Sequence, residues 1–231
     1  MGLPSGVFKT TLGLKTMVAA TGAALGGFVL IHLLGNLQVF VGPDAMNDYA
    51  AMLKGMPGPL WAARSGLLLM FGVHLWANAK LRARNRAARV QRYEVDKPID
   101  ATVASRSMLL TGLALLAFVL YHLAHFTLGW TDPDSYRLVD AAGRHDVYSM
   151  LVLGFQKPLV AGLYVIAMGF LGFHLYHGVA SAFQTVGLRK LTWQEGIDAG
   201  GRMLALLVVI GNISIPFACL VGLIEPAQGS F

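Results

Sequence analysis

Charge is scarce in this chain, and cysteine nearly absent. Asp, Glu, Lys and Arg together make up 13% of its 231 residues, against roughly a quarter in soluble domains. A single cysteine, Cys219, excludes an internal disulfide and any cluster held by several thiolates of this chain. A Gly-rich dinucleotide fingerprint is also missing, which removes nucleotide-dependent chemistry of that type. The N-terminus has no short apolar core followed by a small-residue cleavage site, so the first apolar segment is expected to stay in place. Connections between apolar runs reach only about 25 residues and are loaded with charge, Gly and Pro, which leaves no room for a separate soluble domain.

What the chain has is apolar length. Hydrophobic residues make up 55%, and charge-free windows run over 16–41, 107–131, 158–188 and 203–224, each near the length of about 20 residues that spans a hydrocarbon core. A shorter window, 65–79, spans only if its helix starts near Leu60 and carries Arg64 inside. The expected fold is an all-α membrane protein: one membrane domain over 1–231, five transmembrane helices near 15–41, 60–82, 105–130, 157–187 and 202–224, and a basic loop near 83–104.

Lys and Arg set the expected orientation. Lys80, Arg82, Arg84, Arg86, Arg89, Arg92, Lys97 and Arg106 fall between helices two and three, with Lys9, Lys15, Arg189, Lys190 and Arg202 on the same side. The opposite connections carry Asp44, Asp48, Asp132, Asp134, Asp140 and Asp146. This places the N-terminus in the cytoplasm and the C-terminus outside, in a bacterial inner membrane. Topology also accounts for the net charge of +6, without a nucleic-acid partner.

Four histidines inside apolar helices form an internal repeat. Thr21-Gly22, nine residues and His32 recur as Thr111-Gly112, nine residues and His122; Gly72-Val73-His74-Leu75-Trp76 recurs as Gly172-Phe173-His174-Leu175-Tyr176. An ionisable ring at membrane depth marks a candidate site. At 1.5 Å per residue, His32 and His122 lie roughly 24 and 22 Å from the cytoplasmic ends of helices one and three. His74 and His174 lie roughly 20 and 24 Å along helices two and four, which run the other way. Depth therefore pairs His32 with His122 and His74 with His174, in two centres stacked roughly 15 Å apart. His125 and His177 follow repeat histidines by three residues, on the same helix face; without the repeat context they read as hydrogen-bonded bundle residues, and His145 as a loop residue.

Two facing neutral imidazoles with no Asp, Glu or Cys at matching depth suit axial ligation of a flat macrocycle better than a tetrahedral or carboxylate site. Two haems b, bound within the first four helices, is the expected cofactor content, with His32, His74, His122 and His174 as iron ligands. Gly22, Gly26, Gly27, Gly35, Gly72, Gly112, Gly169, Gly172 and Gly178 lie in these helices, where small residues let backbones approach.

The stretch His32-Leu33-Leu34-Gly35-Asn36-Leu37-Gln38, followed by Phe40, Gly42, Asp44-Ala45, Asn47 and Tyr49-Ala50, resembles the signature of the cytochrome b558 membrane anchors of succinate dehydrogenases and fumarate reductases. The resemblance covers nearly the whole chain, including the ligand positions and the basic loop. It implies an electron-transfer subunit of a succinate:quinone oxidoreductase, working between an iron–sulfur subunit and a membrane quinone, with menaquinone expected. A flavoprotein subunit would carry the succinate/fumarate chemistry, and the basic loop and Arg189-Lys190 would face the iron–sulfur partner. On the outer side the candidates for quinone or propionate contact are Asn36, Gln38, Asp44, Asp48 and Arg64, the last because an intramembrane guanidinium wants an anionic or carbonyl partner. On the inner side they are Lys15, Ser105 and Arg106. Some fumarate-reducing relatives carry a glutamate two residues before the helix-four ligand; Gly172 stands there in this chain. Alternative readings are the dihaem cytochrome b of a hydrogenase or formate dehydrogenase, and a non-haem metal or proton transporter.

Overall fold

The computed structural model describes residues 10–88 and 103–228, with 103–106 described by backbone alone. These residues are helical, with one isolated bridge between Val139 and His145. The long helices are α1 (Thr11–Asn36), α3 (Pro57–Ala87), α4 (Val103–His122), α7 (Pro158–Thr185) and α8 (Gln194–Leu220). Shorter helices are α2 (Pro43–Lys54), α5 (Pro133–Tyr136) and α6 (Val147–Phe155). A 3-10 turn, Leu37–Phe40, continues α1, and a π-helical turn, Leu123–Thr127, continues α4. Five segments are long and apolar enough to cross a membrane: α1, α3, α4 with its π turn, α7 and α8.

Local chemistry explains where the helices start. Thr10 caps α1 by accepting from the Gly13 amide at 3.0 Å. Pro43, Pro57, Pro133 and Pro158 open α2, α3, α5 and α7, where a missing amide proton costs nothing. With Pro57 as its first residue, α3 takes in Arg64 and reaches 31 residues. Helix α8 starts at Gln194, earlier than its apolar window, because Arg189 pairs with Asp198 at 2.8 Å and holds the first turns in the polar connection.

Side by side, α1 packs on α3 and α7, and α7 packs on α4 and α8. Helix α8 also touches α1 and α6. Helix α1 has no substantial backbone contact with α4, and α3 none with α7.

A compact cap covers one end of the helices. Composition alone reads the connections as polar loops; instead α6 packs on α7 and α8, α2 packs on α6, the 3-10 turn and α3, and α5 packs on α6. Tyr148, Leu151, Val152 and Phe155 of α6 are buried with Val39, Met46, Tyr164, Ile215, Ala218 and Cys219. Asn47 ties α2 to the start of α6, donating to Asp146 at 3.0 Å and accepting from the Tyr148 amide at 3.0 Å. The C-terminal turn closes the cap, with the Ala227 amide donating to Ser149 Oγ at 3.0 Å.

Gly129, where α4 turns into the cap, has φ +66°. A Cβ there would stand 2.3 Å from Tyr136 Cγ, and that ring is tethered by its hydroxyl donating to the Thr127 carbonyl at 3.0 Å. Gly129→Ala is expected to lower the thermal midpoint of the detergent-purified protein by more than backbone strain of about 1–3 kcal/mol alone would. Gly143→Ala is the control, with φ +76° and nothing within 4 Å of the added Cβ. Equal midpoints for the two variants would show that the Tyr136 contact does not matter.

Candidate functional site

Apolar helices bring the repeat histidines together in twos. The His32 and His122 ring centroids are 5.7 Å apart with planes at 89°; those of His74 and His174 are 6.4 Å apart with planes at 61°. Each pair joins helices that lack direct backbone packing, α1 to α4 and α3 to α7. His32 is exposed and the other three are half-buried. Among the described residues no three His, Cys, Asp or Glu side chains converge.

The pair far from the cap is held by threonine. Thr21 Oγ1 lies 3.0 Å from His74 Nδ1, and Thr111 Oγ1 lies 3.3 Å from His174 Nδ1. Gly22 leaves room for the His74 ring, since a Cβ there would meet His74 Cε1 at 3.3 Å; one on Gly112 would make only ordinary contact with His174 Cε1, at 3.8 Å. The Thr-Gly dipeptides thus serve histidines on the neighbouring helices, not the histidine further along their own. Asn78 Nδ2 donates to the His74 carbonyl at 2.8 Å, and Asn36 Nδ2 to the His32 carbonyl at 2.9 Å. A shared His-Leu-x-x-Asn spacing is the sequence signal for these two asparagines.

Nearer the cap, Tyr164 replaces threonine. Its hydroxyl lies 3.3 Å from His122 Nδ1 and 3.2 Å from His125 Nδ1. The π turn begins directly after His122 and contains His125; such turns are rare and recur at functional sites. His125 is 3% exposed, stacks on Phe126 at 4.0 Å and has its Nε2 edge packed where a Gly154 Cβ would come within 3.2 Å. His32 stacks on Phe28 at 5.4 Å. His177 is half-buried on α7.

Other residues singled out from the sequence are spread more widely. Asn36 is engaged with the His32 carbonyl, and Gln38 is half-buried in the 3-10 turn. Arg64 is exposed, with its guanidinium carbon 5.3 Å from the Trp61 ring centroid. Desolvation and then the Arg64 charge hold the Lys54 ammonium below the usual range. Lys15 is exposed near the start of α1. The side chains of Ser105 and Arg106, like Lys9, Arg89, Arg92 and Lys97, lie outside the described residues.

Asp44 and Asp48 belong to an ion-pair network in the cap. Arg144 binds Asp44 at 2.8 Å, Asp140 at 2.7 Å, and Asp48. Burial alone would raise the Asp140 pKa, but hydrogen bonds from the Arg144 main chain and side chain and from Asn47 hold it below the usual carboxylate range. Asp132 is likewise held low, with burial opposing hydrogen bonds from Lys157 and Ser135. A carboxyl whose native pKa lies below its unfolded value of about 3.9 stabilises the fold above that value and loses the contribution as pH falls through the native one. The thermal midpoint should therefore drop on acidification below about pH 4, and Arg144→Ala should flatten that slope. An unchanged acid slope in Arg144→Ala would remove Asp140 as its source.

No family model, curated protein or solved structure matches this chain.

Proposed function

We propose that the chain is a dihaem cytochrome b membrane anchor of a succinate:quinone oxidoreductase, carrying electrons between an iron–sulfur subunit and a membrane quinone such as menaquinone. The observation that carries the reading is the pair of facing imidazole couples at 5.7 and 6.4 Å. His32 with His122 and His74 with His174 would each be close enough to share one metal ion, since a histidine nitrogen binds a metal at about 2 Å. The donors come in twos, none of the four histidines is fully buried, and the two helices that bear each couple have no substantial backbone contact with each other. The residues present therefore fit haem.

Bound haem b supplies a one-electron ferric/ferrous couple. His32 and His122 would hold one haem, His74 and His174 the other. Thr21, Thr111 and Tyr164 orient three of the four rings through Nδ1, as groups behind metal-bound histidines do. The resemblance of 32–50 to cytochrome b558 anchors supplies the partners: a flavoprotein and an iron–sulfur protein on the side of the basic 83–104 segment, which would be cytoplasmic, with the cap outside. Arg64, exposed beside Trp61, would suit a quinone carbonyl or a haem propionate.

Pyridine-haem quantification of the purified complex should give two haems b per chain, reduced by succinate or reoxidised by fumarate. His74→Ala or His174→Ala should remove one spectrally distinct haem, and His32→Ala or His122→Ala the other. His125→Ala and His177→Ala should leave two. Absence of haem from the wild-type protein would overturn the proposal; loss of haem from His125→Ala with retention in His122→Ala would overturn the ligand assignment.

A further inference from the structure

We propose that Thr21 and Thr111 are positioning residues that fix His74 and His174 in the one neutral tautomer whose Nε2 is free to bind iron. The inference rests on the haem reading and concerns the pair far from the cap alone.

A threonine hydroxyl has one proton and two lone pairs. Thr21 donates its proton to the Met17 carbonyl at 2.6 Å, with Val18 at 3.3 Å, and Thr111 donates to the Met108 carbonyl at 3.2 Å. With that proton committed to its own helix, each oxygen can only accept from the histidine that touches it. The proton on the ring must then sit on Nδ1, which lies 3.0 Å from the Thr21 oxygen in His74 and 3.3 Å from the Thr111 oxygen in His174, and each ring presents a bare Nε2. A hydrogen bond from Nδ1–H also makes the ligand more basic.

Back-bonding by a threonine is common in helices and means nothing alone. Thr16 and Thr185 do it too, at 3.0 Å to Leu12 and 2.9 Å to Ser181, and both hydroxyls are exposed. Thr21 and Thr111 differ because each aims its remaining lone pairs at an imidazole on an adjacent helix. Thr111 is 2% exposed, so water cannot take its place. The arrangement occurs twice, between α1 and α3 and between α4 and α7. At the cap-side pair the group on His122 is a tyrosine that also serves His125, so the effect should stay within one centre.

The test is an optical and low-temperature EPR redox titration of the purified complex carrying Thr21→Val, Thr111→Val, Thr21→Ser or Thr111→Ser. Valine keeps the shape and removes the acceptor. A less basic ligand stabilises ferric iron less, so each valine variant should shift one midpoint potential upward and move the g values of the same haem. That haem is the one lost in His74→Ala. Haem affinity at that centre should fall by about 10–100-fold, and serine should restore potential, spectrum and retention. Unchanged potentials and g values in both valine variants would overturn the inference while leaving two haems in place. A shift confined to the other haem would overturn it too, as would serine variants that behave like valine. A wild-type protein free of haem overturns the haem reading itself, and with it this inference.

Discussion

An imidazole carries a donor and an acceptor, and inside a helix long and apolar enough to cross a bilayer neither can be left to water. The placement of the long helices answers this constraint. Thr21 reaches His74, Thr111 reaches His174 and Tyr164 reaches His122, each from the adjoining helix. Those contacts hold α3 to α1 and α7 to α4, the two couples that then join through α1 and α7. Turning one helix by a single residue, about 100° at 3.6 residues per turn, would separate ring from hydroxyl. Polar contacts therefore help to specify the register of the bundle, beside the packing of α1 on α3 and of α7 on α4 and α8.

The segment that carries the family resemblance has a mostly structural job. Gly35 is small because a Cβ would stand 2.9 Å from the Tyr49 ring. Gly42 turns the chain at φ +132° between the 3-10 turn and α2. Leu33, 2% exposed, fills the space opposite Gly211, where a Cβ would come within 2.8 Å of it. Asn47 binds Asp140 at 3.2 Å as well as the start of α6. Together these residues fold α2 back beside the end of α1 and fix the turn of helix that bears His32. A signature of this kind reports how one end of the bundle is closed, and only its first residue is a candidate ligand.

The five long helices were legible because apolar windows of spanning length admit few alternatives. The cap was not. Val147–Phe155 is nine residues long, too short to separate from a loop by periodicity, and its burial comes from Val39, Met46 and Ile215, which are distant in sequence. The repeat located the four histidines, but its Thr-Gly element read naturally as a companion of the histidine on the same helix. Which neighbouring ring it touches depends on helix order and rotation, which no one-dimensional spacing encodes. Asp44 and Asp48 looked available beside a candidate site; their partner Arg144 lies about a hundred positions on and could not be paired with them from sequence.

The two histidine couples are chemically unequal, and the inequality lies in where hydroxyl protons go. At Thr21 and Thr111 the proton is committed to a main-chain carbonyl, so the neighbouring ring has one tautomer. Among the described residues Tyr164 shows no such outlet: its hydroxyl is hydrogen-bonded to His122 and His125, at 3.3 and 3.2 Å. It can accept from one ring while donating to the other, so the tautomers of the two rings are linked through it. The π turn starting after His122 brings His125 to the same oxygen. His125 is the nearer of the two rings to the cap's polar groups, with Asp132 and Lys157 within electrostatic reach. The couple far from the cap is thus held by its own helices, whereas the couple beside the cap is joined through Tyr164 to a buried third histidine.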